Sequence, residues 1–312
     1  MTGRGARPLT IAETGHRIGR QVLWLTAHHP NRRGRADRSG IYRQSEIMTV
    51  AMARKQKLDL STLDGRLLDG LNFCRKVYGL FDQTRAGAGG ITNLRLRSTK
   101  LEKRLIEELI PLARYVQARY REGRRIKVRW LSGSQPYDAV LLLSGTFVDK
   151  GYDPKRVVVE ITTSVHQNEH LARRLLHEQG HAFGVKGISR DKKTRAVVST
   201  PYVTTNDETA TDLAAQIIAR LKSKSAKGYS PDTVLIVYCV LNGVTLEEEW
   251  GEAVNRVTQA DAHHAFREVF LIDTGLASYS ANLYGDSERA PKRLAHSRGI
   301  ARYAAGRGKP GP

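Results

Sequence analysis

Apolar positions recur at helical spacing over residues 60–82, where Leu63, Leu67, Leu71, Cys74 and Leu80 mark one stripe. A clearer stripe of Leu101, Leu105, Leu109, Leu112 and Val116 predicts a helix over 100–120, which Pro111 is expected to kink. Three strands follow, at 126–131 (IKVRWL), 137–144 (YDAVLLLS) and 156–163 (RVVVEITT), with a turn-forming GTFVDKGYDP between the last two. The pattern then predicts a helix over 167–180 that closes near Gly180 and Gly184, and a short edge strand at 196–203. Next comes a helix capped by Asn206 that runs to about Lys224 and buries Leu213, Ile217 and Leu221. A strongly apolar strand at 233–240, a helix at 246–259 and a strand at 266–272 complete the order. Strands alternating with helices predict an α/β (mixed α+β) fold, a central mixed sheet with helices on both faces.

The ends of the chain lack this periodicity. Residues 1–47 carry nine arginines in a stretch expected to be a basic, disordered extension, read as dispensable or as lying upstream of a start at Met48. Residues 286–312 are expected to be a loose basic tail, with a helical region at 48–97 and a core at 98–285 between the two ends. Over all 312 residues there are 51 Lys+Arg against 31 Asp+Glu, a net charge of +20. Such a field favours polyanions, nucleic acid before anionic membrane. No apolar run approaches the ~18 residues of a membrane span, so no membrane association is expected. The two cysteines, Cys74 and Cys239, lie in apolar segments and form no CxxC pair, which fits a reducing, cytoplasmic setting. A homodimer is compatible with the sequence.

The segment VVVEITT places Glu160 in the middle of an apolar strand, where an ionised carboxylate costs several kcal/mol unless a cation or hydrogen bonds compensate it. Period-two geometry sets Glu160 and Thr162 on one face. Asp138 opens the preceding apolar strand, so a β-hairpin brings the two acids together. A divalent cation resolves their repulsion, and Mg²⁺ (or Mn²⁺) suits an all-oxygen site. The competing reading is an edge Asp and a Glu paired with arginine. On the helical wheel of 100–120, Glu108 falls on the buried edge, Glu107 points away, and Glu102 is a second candidate inside the apolar arc.

The pieces KLEKRLIEELIPLARYVQ, RWLSGSQPYDAVLLLSG, VVVEITTSVHQNEHLARRLL and YSPDTVLIVYCVLNG, in this order, resemble the PD-(D/E)XK, or restriction-endonuclease-like, nuclease superfamily over roughly residues 98–285. The resemblance implies a restriction-endonuclease-like sheet, with Asp138, Glu160 and the Ile161 carbonyl as metal ligands. It also implies Glu108 as a first-helix acid acting through a water, and Gln135 near the site. Thr162 stands where the superfamily usually has lysine. Arg173, Arg174 and His170, on one face of the following helix, are candidates to replace that cation or to contact phosphates, as is Lys186 in the next loop.

A rival pattern is His177-Glu178-Gln179-Gly180-His181, which matches the HExxH of zinc proteases. Gly180 interrupts the helix that would align the two imidazoles, and Arg173 and Arg174 share their sector, which disfavours a cation there. Zinc is therefore ranked below magnesium. The pattern as a whole predicts Mg²⁺-dependent hydrolysis of DNA phosphodiesters. The alternatives are a degenerate nuclease fold that only binds nucleic acid or protein, and a zinc protease.

Overall fold

The computed structural model describes residues 59–230, 232–241, 246–263, 265–273 and 279–284. The two basic ends, 1–47 and 286–312, lie outside the described residues. A seven-stranded mixed sheet has the order β1-β2-β3-β4-β7-β8-β9, with β1 Leu67–Asp69, β2 Arg125–Trp130, β3 Ala139–Ser144, β4 Arg156–Ser164, β7 Thr233–Cys239, β8 Glu268–Ile272 and β9 Ser280–Tyr284. The first four strands form an antiparallel meander, β4, β7 and β8 run parallel, and β9 returns antiparallel. The two remaining strands, β5 Ile188–Arg190 and β6 Val197–Ser199, pair only with each other.

Helices cover both faces, the layering the sequence predicts. On one face lie α1 (Gly70–Ala86), α2 (Gly90–Leu96) and the long helix α3. Helix α3 runs through Lys100–Arg104, a π-helical turn Leu105–Leu109 and Ile110–Arg119. On the other face lie α6 (Asn206–Ser225) and α7 (Glu247–Gln259). A single turn, α4 (Thr146–Asp149), links β3 to β4, and α5 (Glu169–Glu178) follows β4. Period-two burial divides the core: Val234, Ile236, Phe270 and Ile272 pack with α1 and α3, while Leu235, Val237, Val269 and Leu271 pack with α6 and α7. Every residue of β7 is buried, which explains its unbroken apolar run. Both cysteines are buried and free. Among the described residues no helix is long and apolar enough to cross a membrane.

Several elements differ from the pattern. The stripe over 60–82 divides into a 3₁₀ turn Leu60–Thr62, edge strand β1 and α1. Asp69 ends β1 and caps α1, its Oδ1 accepting from the Leu71 N–H at 3.0 Å and the Asn72 N–H at 3.3 Å. Leu67 and Leu71 are exposed, and Phe73, Cys74 and Val77 face the core instead. The 196–203 run is no edge of the main sheet: β6 pairs with β5 in a separate ribbon against Leu171 and Leu175 of α5. The cap of α6 is Thr205, in a capping box with Glu208, rather than Asn206. Strand β9 was invisible because only Leu283 of SANLY is buried. Pro111 produces a widened turn in α3: it withholds the N–H that would close on the Glu107 carbonyl, and the π turn Leu105–Leu109 lies just before it.

Candidate active site

Strands β3 and β4 are neighbours, with Ala139 opposite Val159. Beyond that pair the regular ladder ends. The Asp138 N–H donates to the Val159 carbonyl at 2.9 Å, and the Asp138 carbonyl accepts from Leu131 N–H at 2.9 Å, which closes the β2–β3 connection. The Asp138 side chain then takes over from the backbone: its Oδ2 accepts from the Ile161 N–H at 2.7 Å. This bond turns the carboxylate toward β4, next to Glu160, which points to the face covered by α6.

Glu160 is buried, and the Lys224 ammonium from the last turn of α6 pairs with its Oε1. The two side chains are 13% and 10% exposed, so the pair is largely withdrawn from water. A lysine at a helix C-terminus also suits the helix dipole. The Tyr229 hydroxyl lies within hydrogen-bonding reach of Glu160; burial first, and then the Glu160 charge, pushes this phenol well above its ordinary value. From the opposite face, α3 contributes Glu108 and Arg104. The Arg104 guanidinium lies 5.9 Å from the centroid of the buried Trp130 ring and donates to the Ser132 carbonyl.

Asp138 and Glu108 are each raised by burial and by a neighbouring carboxylate. Burial first, and then the Glu160 charge, raises Asp138 from 3.8 to about 6, against the pull of the Ile161 N–H, Lys224 and Arg104. Burial first, and then Asp138, raises Glu108 from 4.5 to about 7, opposed by Arg104 and the nearby indole N–H of Trp130. Both folded values exceed the unfolded ones, so the folded state holds these protons more tightly. Stability therefore falls as pH rises from about 4 to about 7 through these two groups. A series of melting temperatures across that window should show the fall, and Asp138→Asn and Glu108→Gln should each flatten it.

Two carboxylates where β3 and β4 part suit Mg²⁺, which is commonly held by one or two carboxylates with water and substrate phosphate completing its shell. The Lys224 ammonium is a cation at Glu160 in its own right, and Asp138 beside it is raised by burial first and then by the Glu160 charge. Among the described residues no group of three or more His, Cys, Asp or Glu side chains is placed to hold a metal by itself. Asp138 and Glu160 are the two carboxylates that could share a cation here, with the remaining ligands coming from water or substrate.

Other residues singled out by the sequence fall elsewhere. Thr162 shares the Glu160 face, opposite Val237 of β7. Gln135 lies in the 131–138 loop, donating to the Leu131 carbonyl at 3.1 Å. Ile161 gives its N–H to Asp138 and its side chain to the core. Glu102 is consumed in the capping box with Thr99. The helix face expected to replace the lysine does not reach the acids. Arg174 is exposed and pairs with Glu178 at 2.6 Å, and His170 is exposed over the Gln167 carbonyl. Arg173 lies near Arg97, Glu169 and Glu107 rather than the carboxylate pair. Lys186 pairs with Asp212 and lies over Tyr202. The HExxH pattern forms no two-imidazole face: α5 stops at Glu178, Gly180 takes φ 77°, and His181 turns its Nδ1 to the Gln179 carbonyl at 3.1 Å. Among the described residues the cations at the acid pair are Lys224 and Arg104; the sequence marks Lys224 only as one of several helix-end cations that suit the dipole or a phosphate, and does not mark Arg104. Comparison of the chain with protein-family models, curated proteins and solved structures gives no match.

Proposed function

We propose that the protein is a Mg²⁺-dependent nuclease that hydrolyses DNA phosphodiesters where β3 and β4 part at the centre of its sheet, on the PD-(D/E)XK plan. The observation that carries this reading is the convergence of Asp138 and Glu160 with a lysine supplied from α6. The strand position where the superfamily has lysine holds Thr162, and Lys224 provides the missing ammonium on the same face of β4. The helix, the antiparallel meander and the parallel fourth strand agree with that plan. The net charge of +20 agrees with a polyanionic substrate.

Asp138 and Glu160 would hold the cation, which when bound lowers the pKa of a water and screens charge on the phosphate. Lys224 would leave Glu160 to meet negative charge developing on the phosphoryl oxygens. Glu108, near half-protonated at neutral pH, is poised to take a proton from water or return one to the leaving oxygen. Arg104 limits the repulsion between Glu108 and Asp138.

The test is nicking of a supercoiled plasmid by the full chain with Mg²⁺ or Mn²⁺, with and without chelator, beside Glu160→Ala. Cleavage that needs the metal and is lost in the variant is the expected result. Salt-dependent DNA binding without cleavage at any metal concentration would leave the degenerate-binder reading in its place.

A further inference from the structure

The π turn of α3 aims consecutive acids in two directions. Glu108 faces Asp138, while Glu107 pairs with Arg97, whose side chain is 9% exposed. Arg97 ends α2 with φ 55°, a left-handed backbone that is costly for a residue with a Cβ. Its guanidinium lies 5.7 Å from the centroid of the Tyr238 ring. Helix α5 brings Arg173 to the same place. Burial, and then the Arg97 charge, holds the Arg173 guanidinium below its ordinary value. The Nε and Nη1 of Arg173 are buried and have no hydrogen-bond acceptor among the described residues.

A structural arginine normally spends its N–H groups on carboxylates or carbonyls. Here Arg97 pairs with Glu107 and reaches the Tyr238 hydroxyl at 3.5 Å, Arg173 lies beside them with no paired carboxylate among the described residues, and the exposed Lys103 ammonium is 4.0 Å from Glu107. Glu169 is the remaining acid nearby. Three cations against two acids leave one positive charge, and the buried Nε and Nη1 of Arg173 have no acceptor among the described residues. A singly charged, multi-oxygen anion satisfies both, and a planar guanidinium fork suits a phosphate.

We propose that Arg97 and Arg173 form a phosphodiester-binding subsite that anchors the backbone of the nucleic-acid strand, across α3 from the Asp138–Glu160 pair. This rests on the nuclease reading above, and it turns Arg173 from a substitute for the motif lysine into a residue that positions the strand.

The test reads binding, not cleavage. Fluorescence anisotropy of a labelled DNA duplex should give ~10-fold or more weaker binding for Arg173→Gln and for Arg97→Gln. In each the slope of log K against log salt should be shallower by about 0.9. Arg173→Gln should also match or exceed the wild-type melting temperature when no phosphate is present, since it removes a crowded, unsatisfied cation; a purely structural arginine would lower it. Inorganic phosphate at matched ionic strength should raise the wild-type melting temperature more than that of the variant. An unchanged DNA slope in both variants overturns the subsite, whether or not free phosphate stabilises the wild type. Wild-type protein that fails to bind DNA even at low salt overturns the nuclease reading itself.

Discussion

Asp138→Asn should abolish cleavage while stabilising the fold, and Glu160→Gln should abolish cleavage while destabilising it. The acids differ in what surrounds them. Asp138 is raised to about 6 by burial and by Glu160, so its ionised form is held at neutral pH against a penalty of up to about 3 kcal/mol. Asparagine keeps an oxygen for the Ile161 N–H and drops the charge. Glu160 is the partner of a buried ammonium. Removing its charge strands Lys224, and breaking such a pair costs about 3–5 kcal/mol before the relief of repulsion with Asp138 is subtracted. A net loss of about 1–3 kcal/mol remains. Judged from sequence, with no partner for Glu160 in view, removal of either acid should leave the fold intact; Lys224 changes that for one of them. Urea denaturation of the two variants at neutral pH, with midpoints moving in opposite directions, checks the assignment. A shift of both in the same direction contradicts it.

The second large effect belongs to Lys224. Lys224→Ala should lower cleavage ~10²-fold or more, because charge developing on the phosphate loses its cation. It also leaves Glu160 buried without its ion-pair partner, so loss of activity alone is ambiguous. The swap resolves this. Thr162 lies two residues beyond Glu160 on the same strand face. Lysine at 162 in the Lys224→Ala background should restore both stability and part of the activity. In the wild-type background Thr162→Lys adds a second cation beside Lys224 and should be neutral or harmful. Arg174→Ala, at an exposed residue paired with Glu178, should change cleavage little. If Thr162→Lys instead raises the activity of the wild type, Lys224 does not serve as the site's cation.

Much of this arrangement is written in the chain. The buried strands announce themselves as apolar runs, and an acid inside such a run, as at Glu160, demands a partner whatever the fold. What the sequence hides is the partner's address. Nearness along the chain, the guide a sequence offers, points to a replacement cation on the next helix. The structure inserts the β5–β6 ribbon after α5 and takes the cation from the end of α6, 64 residues from Glu160. A signal was present: Ile217 and Leu221 continue at helical spacing to Lys224, a cation on a buried stripe. It reads equally well as a helix-end lysine complementing the dipole. Arg104 is hidden for a similar reason, since only the return of the 131–138 loop to α3 places the Ser132 carbonyl within its reach. The HExxH pattern failed locally: Gly180 at φ 77° ends the turn before His181 can align with His177.

The most direct test of the Asp138–Glu160–Lys224 centre is plasmid cleavage by wild type and Asp138→Asn, side by side, across a Mg²⁺ titration. The variant is expected to be the more stable protein, so a loss of activity cannot be put down to unfolding. Metal-dependent nicking by the wild type, with none above background by Asp138→Asn at any Mg²⁺ concentration, is the predicted result. Equal nicking by both proteins would place the chemistry away from the β3–β4 junction and contradict the account.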